Sequence, residues 1–390
     1  LQIVNLNKSM SKFDDIRPYY DDEVNEALQS VARHPMMKAL MSFTFPDRDE
    51  EFWTNKFKNV HSIKDFQSQF ISQTVLQILE RSSEGLTTSG FDQLDKDQSY
   101  LFISNHRDIV LDTSLLNLAL LNGGFVMTSS AIGDNLVQKP FLHVLAKLNR
   151  NFLVQRSVSI REQLDSSKTL SQYIYNLLTK ENRSVWMAQR EGRAKDGNDI
   201  TQQGVLKMLA MSAEEVSLID FFKSLKIVPL SISYEYDPTD SLKMPQLMAK
   251  SRNEVYVKDD NEDFNTMLSG VLGQKKRIHL HAGKVLDKEL DNIANAFDNK
   301  NKQLQAIAQI IDDSIIQNYK LWPTKYIAYD LLHKTDKYAE QYTEEEKQLF
   351  IRRLEMRIDS SDPVLKESFL AMYANPVVNR MKQDENSLVR

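Results

Sequence analysis

The chain has 390 residues, 41% of them hydrophobic and 26% charged, with a formal net charge of -5. That length suits two domains or one large domain with appendages. The acidic balance argues against a general nucleic-acid binder, and the absence of cysteine excludes disulfides, thiolate metal sites and a cysteine nucleophile.

No window approaches the run of about 18 apolar residues that a membrane-spanning helix needs, so none is expected. Residues 1–9 lack the basic start and apolar run of a secretory leader. Met10 reads as a natural start, which makes residues 1–9 an upstream extension. From residue 19 to about residue 80 the pattern is helical. Phe66, Phe70, Ile71, Val75, Leu76 and Leu79 recur at helical spacing, with Gln67, Gln69, Gln73 and Gln77 on the other face. Pro35 and Pro46 break up the preceding helices.

Gly85, Gly90 and the acidic cluster at residues 92–97 punctuate a change to α/β character. Strands are expected at residues 100–103, 124–127, 151–155, 184–188 and 226–232, with helices over 134–148 and 160–180 between them. Two further edge strands are expected at 254–257 and 277–281. Such alternation predicts an α/β fold, a mostly parallel sheet flanked by helices. Beyond residue 287 the chain turns helical, and Thr343 with Glu346 makes a capping box opening a helix whose Leu349, Phe350, Leu354 and Ile358 share a face. The expected organisation is a helical N-terminal domain over residues 10–90, an α/β domain over 91–287 and a helical region over 288–390.

Chemistry concentrates at the ends of the expected strands. His106 follows the apolar run Tyr100, Leu101, Phe102, Ile103 and precedes a buried helix, so it lies at a strand-to-helix turn, a favoured place for ligands in an open α/β sheet. A histidine there can take a proton from a hydroxyl at neutral pH if a carboxylate fixes its ring. Asp108 and Asp112 are both within reach, and either is also a natural helix cap. Arg156 ends the strand at 151–155. Gln189, Arg190, Glu191, Gly192 and Arg193 follow the strand at 184–188, with Lys195 and Gly197 just beyond. Guanidinium groups converging on one sheet edge suit a phosphate. His279 and His281 share one face of an expected strand, but no third metal ligand is evident. No P-loop pattern occurs, and an ATP-driven reaction is not expected.

Taken in order, His106 with a downstream Asp, then Leu153, Val154, Gln155 and Arg156, then Glu191, Gly192 and Arg193, then Val228, Pro229, Leu230, Ser231 and Ile232 resemble the four motifs of the glycerolipid acyltransferase family. The resemblance covers roughly residues 95–235. That family includes the lysophosphatidic acid and glycerol-3-phosphate acyltransferases. Two departures stand out. The family places Asp five positions after His, where this chain has Leu111. Asp112 fits the pattern with one residue inserted, which turns a helical side chain by about 100° unless a bulge or a later helix start restores its aim; Asp108 is the rival. The third motif lacks its usual Thr, so Arg193 sits one residue closer to the glycine, and Arg190 or Lys195 is positioned to compensate.

The resemblance implies an O-acyltransferase in phospholipid synthesis, with His106 as general base and Asp112 as its orienting partner. Arg156, Glu191, Gly192 and Arg193 would then bind the acceptor's phosphate. The donor would be an acyl-CoA or acyl carrier protein thioester, with no other cofactor, and the acceptor a glycerophospholipid of the lysophosphatidic acid type. Glycerol-3-phosphate, a lyso-aminolipid, or a non-catalytic lipid-binding role on the same fold are the alternatives. A cytoplasmic protein attached peripherally to a membrane is expected. Candidate contact surfaces are the N-terminal helices and two basic groups, Lys275 with Lys276 and Arg277, and Arg150 with Arg156 and Arg161.

Overall fold

The computed structural model describes residues 11–156, 159–213 and 216–388. The extension read at residues 1–9 and the start read at Met10 lie outside the described residues. Helices α1 (Asp21–Val31), α2 (Pro35–Thr44), α3 (Glu50–Phe57), α4 (Ile63–Phe66) and α5 (Ser72–Ser82) open the chain. Their apolar faces close over Val24, Leu28, Met41, Trp53, Phe57, Phe66 and Phe70.

A π-helical turn at Gln67–Ile71 joins α4 to α5. The wider turn shifts the helical phase. Gln67 is thereby buried and donates to the carbonyl of Asn149 at 3.3 Å, while Leu76 is 43% exposed. The even 3.6-residue face expected from the sequence therefore does not persist through this segment.

Residues 83–89, read from the sequence as a glycine-punctuated junction, form strand β1 (Ser83–Ser89). Then follow β2 (Leu101–Ser104), α6 (Leu111–Gly123), β3 (Thr128–Gly133), α7 (Pro140–Leu148), β4 (Asn151–Val154), α8 (Ile160–Thr179) and β5 (Ser184–Ala188). Next come α9 (Gln203–Leu209), α10 (Leu218–Ser224), β6 (Ile227–Tyr234), α11 (Asp240–Ser251), α12 (Glu262–Leu272) and β7 (Lys276–Ala282). The chain ends in α13 (Lys288–Ala296), α14 (Lys300–Asn318), α15 (Pro323–His333), α16 (Glu344–Arg357) and α17 (Pro363–Leu388). The expected capping box at Thr343 and Glu346 opens α16, whose Phe350 and Leu354 are buried while Leu349 stays 42% exposed.

The strands make one seven-stranded sheet in the order β1-β7-β6-β2-β5-β3-β4. From β6 to β4 all neighbours are parallel, and β7 runs antiparallel to β6. The fold is thus α/β with a mostly parallel sheet, as the alternation predicted. One face packs Leu101, Ile103, Val185 and Ile227 against α8, α10 and α14; the other packs Phe102, Trp186, Val228 and Leu280 against α5 and α6. A separate cluster of Phe350, Phe369 and Tyr373 joins the C-terminal helices.

Three expected elements differ from the observed ones. Residues 124–127 precede β3: Gly124, at φ 73°, caps α6, and the Phe125 amide still bonds the Leu120 carbonyl. The helix expected over 134–148 is split, because α7 begins at Pro140, whose ring suits a first helical position and lacks the donor an interior position needs. Residues 254–257 form no strand. Val255 and Val257 are 90% and 82% exposed.

Helix α14 is tied to the sheet edge through Asp312, whose Oδ1 accepts from the Thr201 amide at 2.8 Å and from its hydroxyl at 2.5 Å. Burial pushes this carboxyl up to about 7 from its usual 3.8. Between those values the folded chain holds a proton that the unfolded chain has released, so the group's contribution to stability falls as pH rises through that window. Asp312→Asn keeps the acceptor oxygen and removes the titration. In urea unfolding, the variant should gain stability relative to wild type between pH 4 and pH 8; a difference that does not change with pH would refute this assignment.

Candidate active site

The site begins where β2 ends. Asn105 extends the pairing of β2 with β6 by one step: its side-chain amide donates to the Ile232 carbonyl at 2.9 Å and its Oδ1 accepts from the Ile232 amide at 2.8 Å. The chain then turns. Asp108 Oδ1 accepts from the amides of Val110 (2.9 Å) and Leu111 (2.8 Å), capping α6 and delaying its start to Leu111. That late start absorbs the inserted residue. Asp112 falls in the first helical turn, with its carboxylate aimed back at the loop.

His106 Nδ1 and Asp112 Oδ2 lie 2.8 Å apart. Oδ2 also accepts from the amides of Arg107 (2.7 Å) and Asp108 (3.0 Å), and Oδ1 accepts from the Tyr234 hydroxyl at 2.9 Å. The Asp112 side chain is fully buried, whereas that of His106 is 14% exposed. An ionised carboxylate only accepts hydrogen bonds, so Nδ1 carries the proton and Nε2 presents a lone pair. The indole of Trp186 meets the imidazole edge-on at 5.5 Å, and its own N–H is held by Ser104 Oγ at 2.9 Å.

Asp108, the rival carboxylate, is turned into the protein. Gly270 of α12 packs on it so closely that a Cβ there would lie 2.0 Å from Asp108 Oδ2, an oxygen with no donor among the described residues. Burial and the neighbouring Asp112 raise its pKa. Asp108 is a helix cap, and Asp112 is the carboxylate at the ring.

The third block folds against the first. The Ala194 amide donates to the His106 carbonyl at 3.3 Å, and Arg107 returns a bond from Nη1 to the Ala194 carbonyl at 3.1 Å. Arg107 is buried and ion-paired with Asp199, and Lys243 reaches the Arg107 carbonyl from α11 while pairing with Asp237. Arg193 lies close enough to Asp108 to oppose part of that rise, and close enough to Lys195 and Lys243 to add to the lowering that their burial causes. Buried donors on Arg190 (Nε) and Arg193 (Nη1) find no acceptor among the described residues. Lys195, with burial and then Arg193 pushing it down to about 8, lies 3.7 Å from Glu262. Gly192 takes φ 68°, a left-handed turn that glycine adopts freely. Gly197, at φ 78°, is closed over by α17: a Cβ there would lie 2.3 Å from the Met372 carbonyl oxygen.

Arg156 stands apart from this group, three strands from β2, or roughly 14 Å at ordinary strand spacing. It packs on Gly133 and pairs with Glu191 at 3.5 Å. With Glu191 71% exposed, that pair adds little stability but joins the second and third blocks at the rim. Beside it, between the end of β3 and α7, lies an open groove of about 560 Å³ lined by Val137, Pro140, Val144 and Leu153, with Asp134, Gln138 and His143 among them.

One expectation about surface cations is overturned. Lys275 is buried, donating to Ser82 Oγ, the Val271 carbonyl and the Gly273 carbonyl; Lys276 and Arg277 are paired with Glu235. In the second group, burial pushes Arg150 down to about 10. The first group is therefore not a free basic patch; in the second, Arg156 pairs with Glu191 at the rim and Arg161 is exposed. His279 and His281 bond the hydroxyls of Thr87 and Ser89, and no cluster of three metal-ligating side chains occurs among the described residues. Arg107, Trp186 and Tyr234 escaped the sequence reading. The only trace of Tyr234 was its place two residues past the apolar run ending at Ile232.

No curated protein matches the chain. Among solved structures it is similar to the crystal structure of the 1-acyl-sn-glycerophosphate (LPA) acyltransferase PlsC from Thermotoga maritima, at 12% identity and a TM-score of 0.36, over 76% of this chain and 94% of that one. The model of the acyltransferase family matches residues 85–233, a span that runs from within β1 to within β6 and contains all four blocks. Over those residues the chain is similar to that family.

Proposed function

We propose that the chain transfers a fatty acyl group from an acyl thioester to a hydroxyl of a phosphate-bearing glycerolipid acceptor, with lysophosphatidic acid as the favoured acceptor. The observation that carries this reading is the His106 imidazole, tied through Nδ1 to the buried Asp112 with Nε2 left as a base. His106 Nε2 takes the acceptor's hydroxyl proton as the oxygen attacks the thioester carbonyl. Asp112 stabilises the imidazolium that results. The tetrahedral adduct then collapses, the C–S bond breaks, and the thiolate leaves with the proton that His106 returns. The acyl group passes directly between substrates.

Arg193, with a buried donor beside the α6 N-terminus that has no acceptor among the described residues, is suited to the acceptor's phosphate; Arg190 supports it. Arg156, 37% exposed and neutralised by Glu191, belongs to the rim of such a site. The groove beside it is apolar enough for part of an acyl chain. No helix among the described residues is long and apolar enough to cross a membrane. An acyltransferase of this kind meets its lipid at a surface, and exposed Leu76, Val255, Val257 and Leu272 offer apolar contacts there.

His106→Ala should lower kcat/KM for thioester consumption by about 10²-fold to 10⁴-fold, measured in detergent micelles with lysophosphatidic acid or glycerol-3-phosphate as acceptor; undiminished turnover would end the assignment. Arg193→Met should raise KM for a phosphate-bearing acceptor by about 10-fold to 100-fold, the value of one charge-assisted hydrogen bond, with a smaller change in kcat. Flotation should recover the protein with liposomes, and Val255→Asp with Val257→Asp should reduce that recovery.

A further inference from the structure

We infer that Tyr234 is a positioning residue of the site, its hydroxyl holding the Asp112 carboxylate in the plane from which Oδ2 reaches His106. The inference rests on the acyl-transfer reading for its kinetic consequence, but its structural content stands on the hydrogen bonds alone. Asp112 Oδ2 gathers donors from His106 Nδ1 and the amides of Arg107 and Asp108. Those three bonds fix where Oδ2 sits. They leave Oδ1 to a donor of its own, and among the described residues that is the Tyr234 hydroxyl at 2.9 Å, which fixes the carboxylate plane from its other end.

The sheet delivers this phenol. The Asn105 bonds to Ile232 lock the register of β6 against the end of β2. Tyr234, two residues on and on the same face, therefore projects over the start of α6. On its other side β6 is clamped by β7, with Tyr234 opposite Ile278. The ring is 2% exposed, and it lines a small cavity of about 10 Å³ together with Lys325 of α15 and Tyr373 of α17. Burial, Asp112 and Asp108 together hold the phenol well above its usual 10, so it remains a donor throughout the working range. Without that donor Oδ1 would be a buried, unsatisfied carboxylate oxygen, which makes the ionised Asp112 costlier and weakens its hold on the imidazole Nδ1 proton.

Tyr234→Phe removes one oxygen and keeps the packing. In the full chain, kcat should fall by about 10-fold to 100-fold, the range that outer-shell partners of an oriented imidazole carry, with KM for the thioester and the melting temperature little changed. In proton NMR of ¹⁵N-histidine-labelled protein, the downfield Nδ1 proton of His106 should move upfield or vanish. On an Asp112→Asn background the same change should cost less than about 2-fold, because the two residues act as a unit. Unchanged kcat with an unchanged downfield proton overturns the inference, as does an equal loss on the Asp112→Asn background. If wild type transfers acyl groups to no acceptor, the acyl-transfer reading fails, and the proton resonance still decides whether Tyr234 positions the pair.

Discussion

A single carboxylate organises this site. Asp112 takes four donors from two segments: the imidazole and two amides of the β2–α6 turn, and the phenol that ends β6. Burying an ionised carboxylate is costly unless its lone pairs are met, so the turn, the helix start and the strand register all answer to that requirement. The result is an imidazole whose proton is assigned by geometry. Such fixed polarity is what a general base needs and what a solvated His-Asp pair on a surface lacks.

Around this centre runs a buried set of charges that joins the sheet to the C-terminal helices. Arg107 pairs with Asp199, Lys243 with Asp237, and Arg353 and Arg357 with Asp240, while Glu235 takes Lys276 and Arg277. Interior ion pairs often contribute little net stability, but removing one partner is expensive. Their consequence here is registration. Arg107, next in sequence to His106, can satisfy its guanidinium only if the loop carrying Arg193 lies against it, and the Lys243 ammonium can reach the Arg107 carbonyl only if α11 closes over that turn. Helices far from the reacting atoms therefore help set the distance between a candidate base and a candidate phosphate site.

The legible part of this chain was the part governed by local pattern. Period-two and continuous apolar runs located β2, β4, β5, β6 and β7 to within a few residues, and the capping box located α16. Hidden features were those that depend on partners distant in sequence. β1 reads as a glycine-rich junction because half of its surface is exposed at the sheet edge, next to β7. Val255 and Val257 alternate like a strand, yet no strand edge receives them. Lys275, Lys276 and Arg277 look like a basic patch in one dimension; folding buries the first and hands the other two to Glu235.

By itself the sequence determined the α/β class, the order of the four blocks, and the placement of His106, Arg156 and Arg193 after strands, because side-chain periodicity and turn chemistry act over a few residues. Whether Asp108 or Asp112 faces the imidazole was a choice only tertiary structure made. Both are acidic, both lie near a helix start, and nothing local separates them. The decision came from Asp108 spending its oxygen on two helix amides under the close approach of Gly270, and from a tyrosine 122 residues further on taking the free oxygen of Asp112.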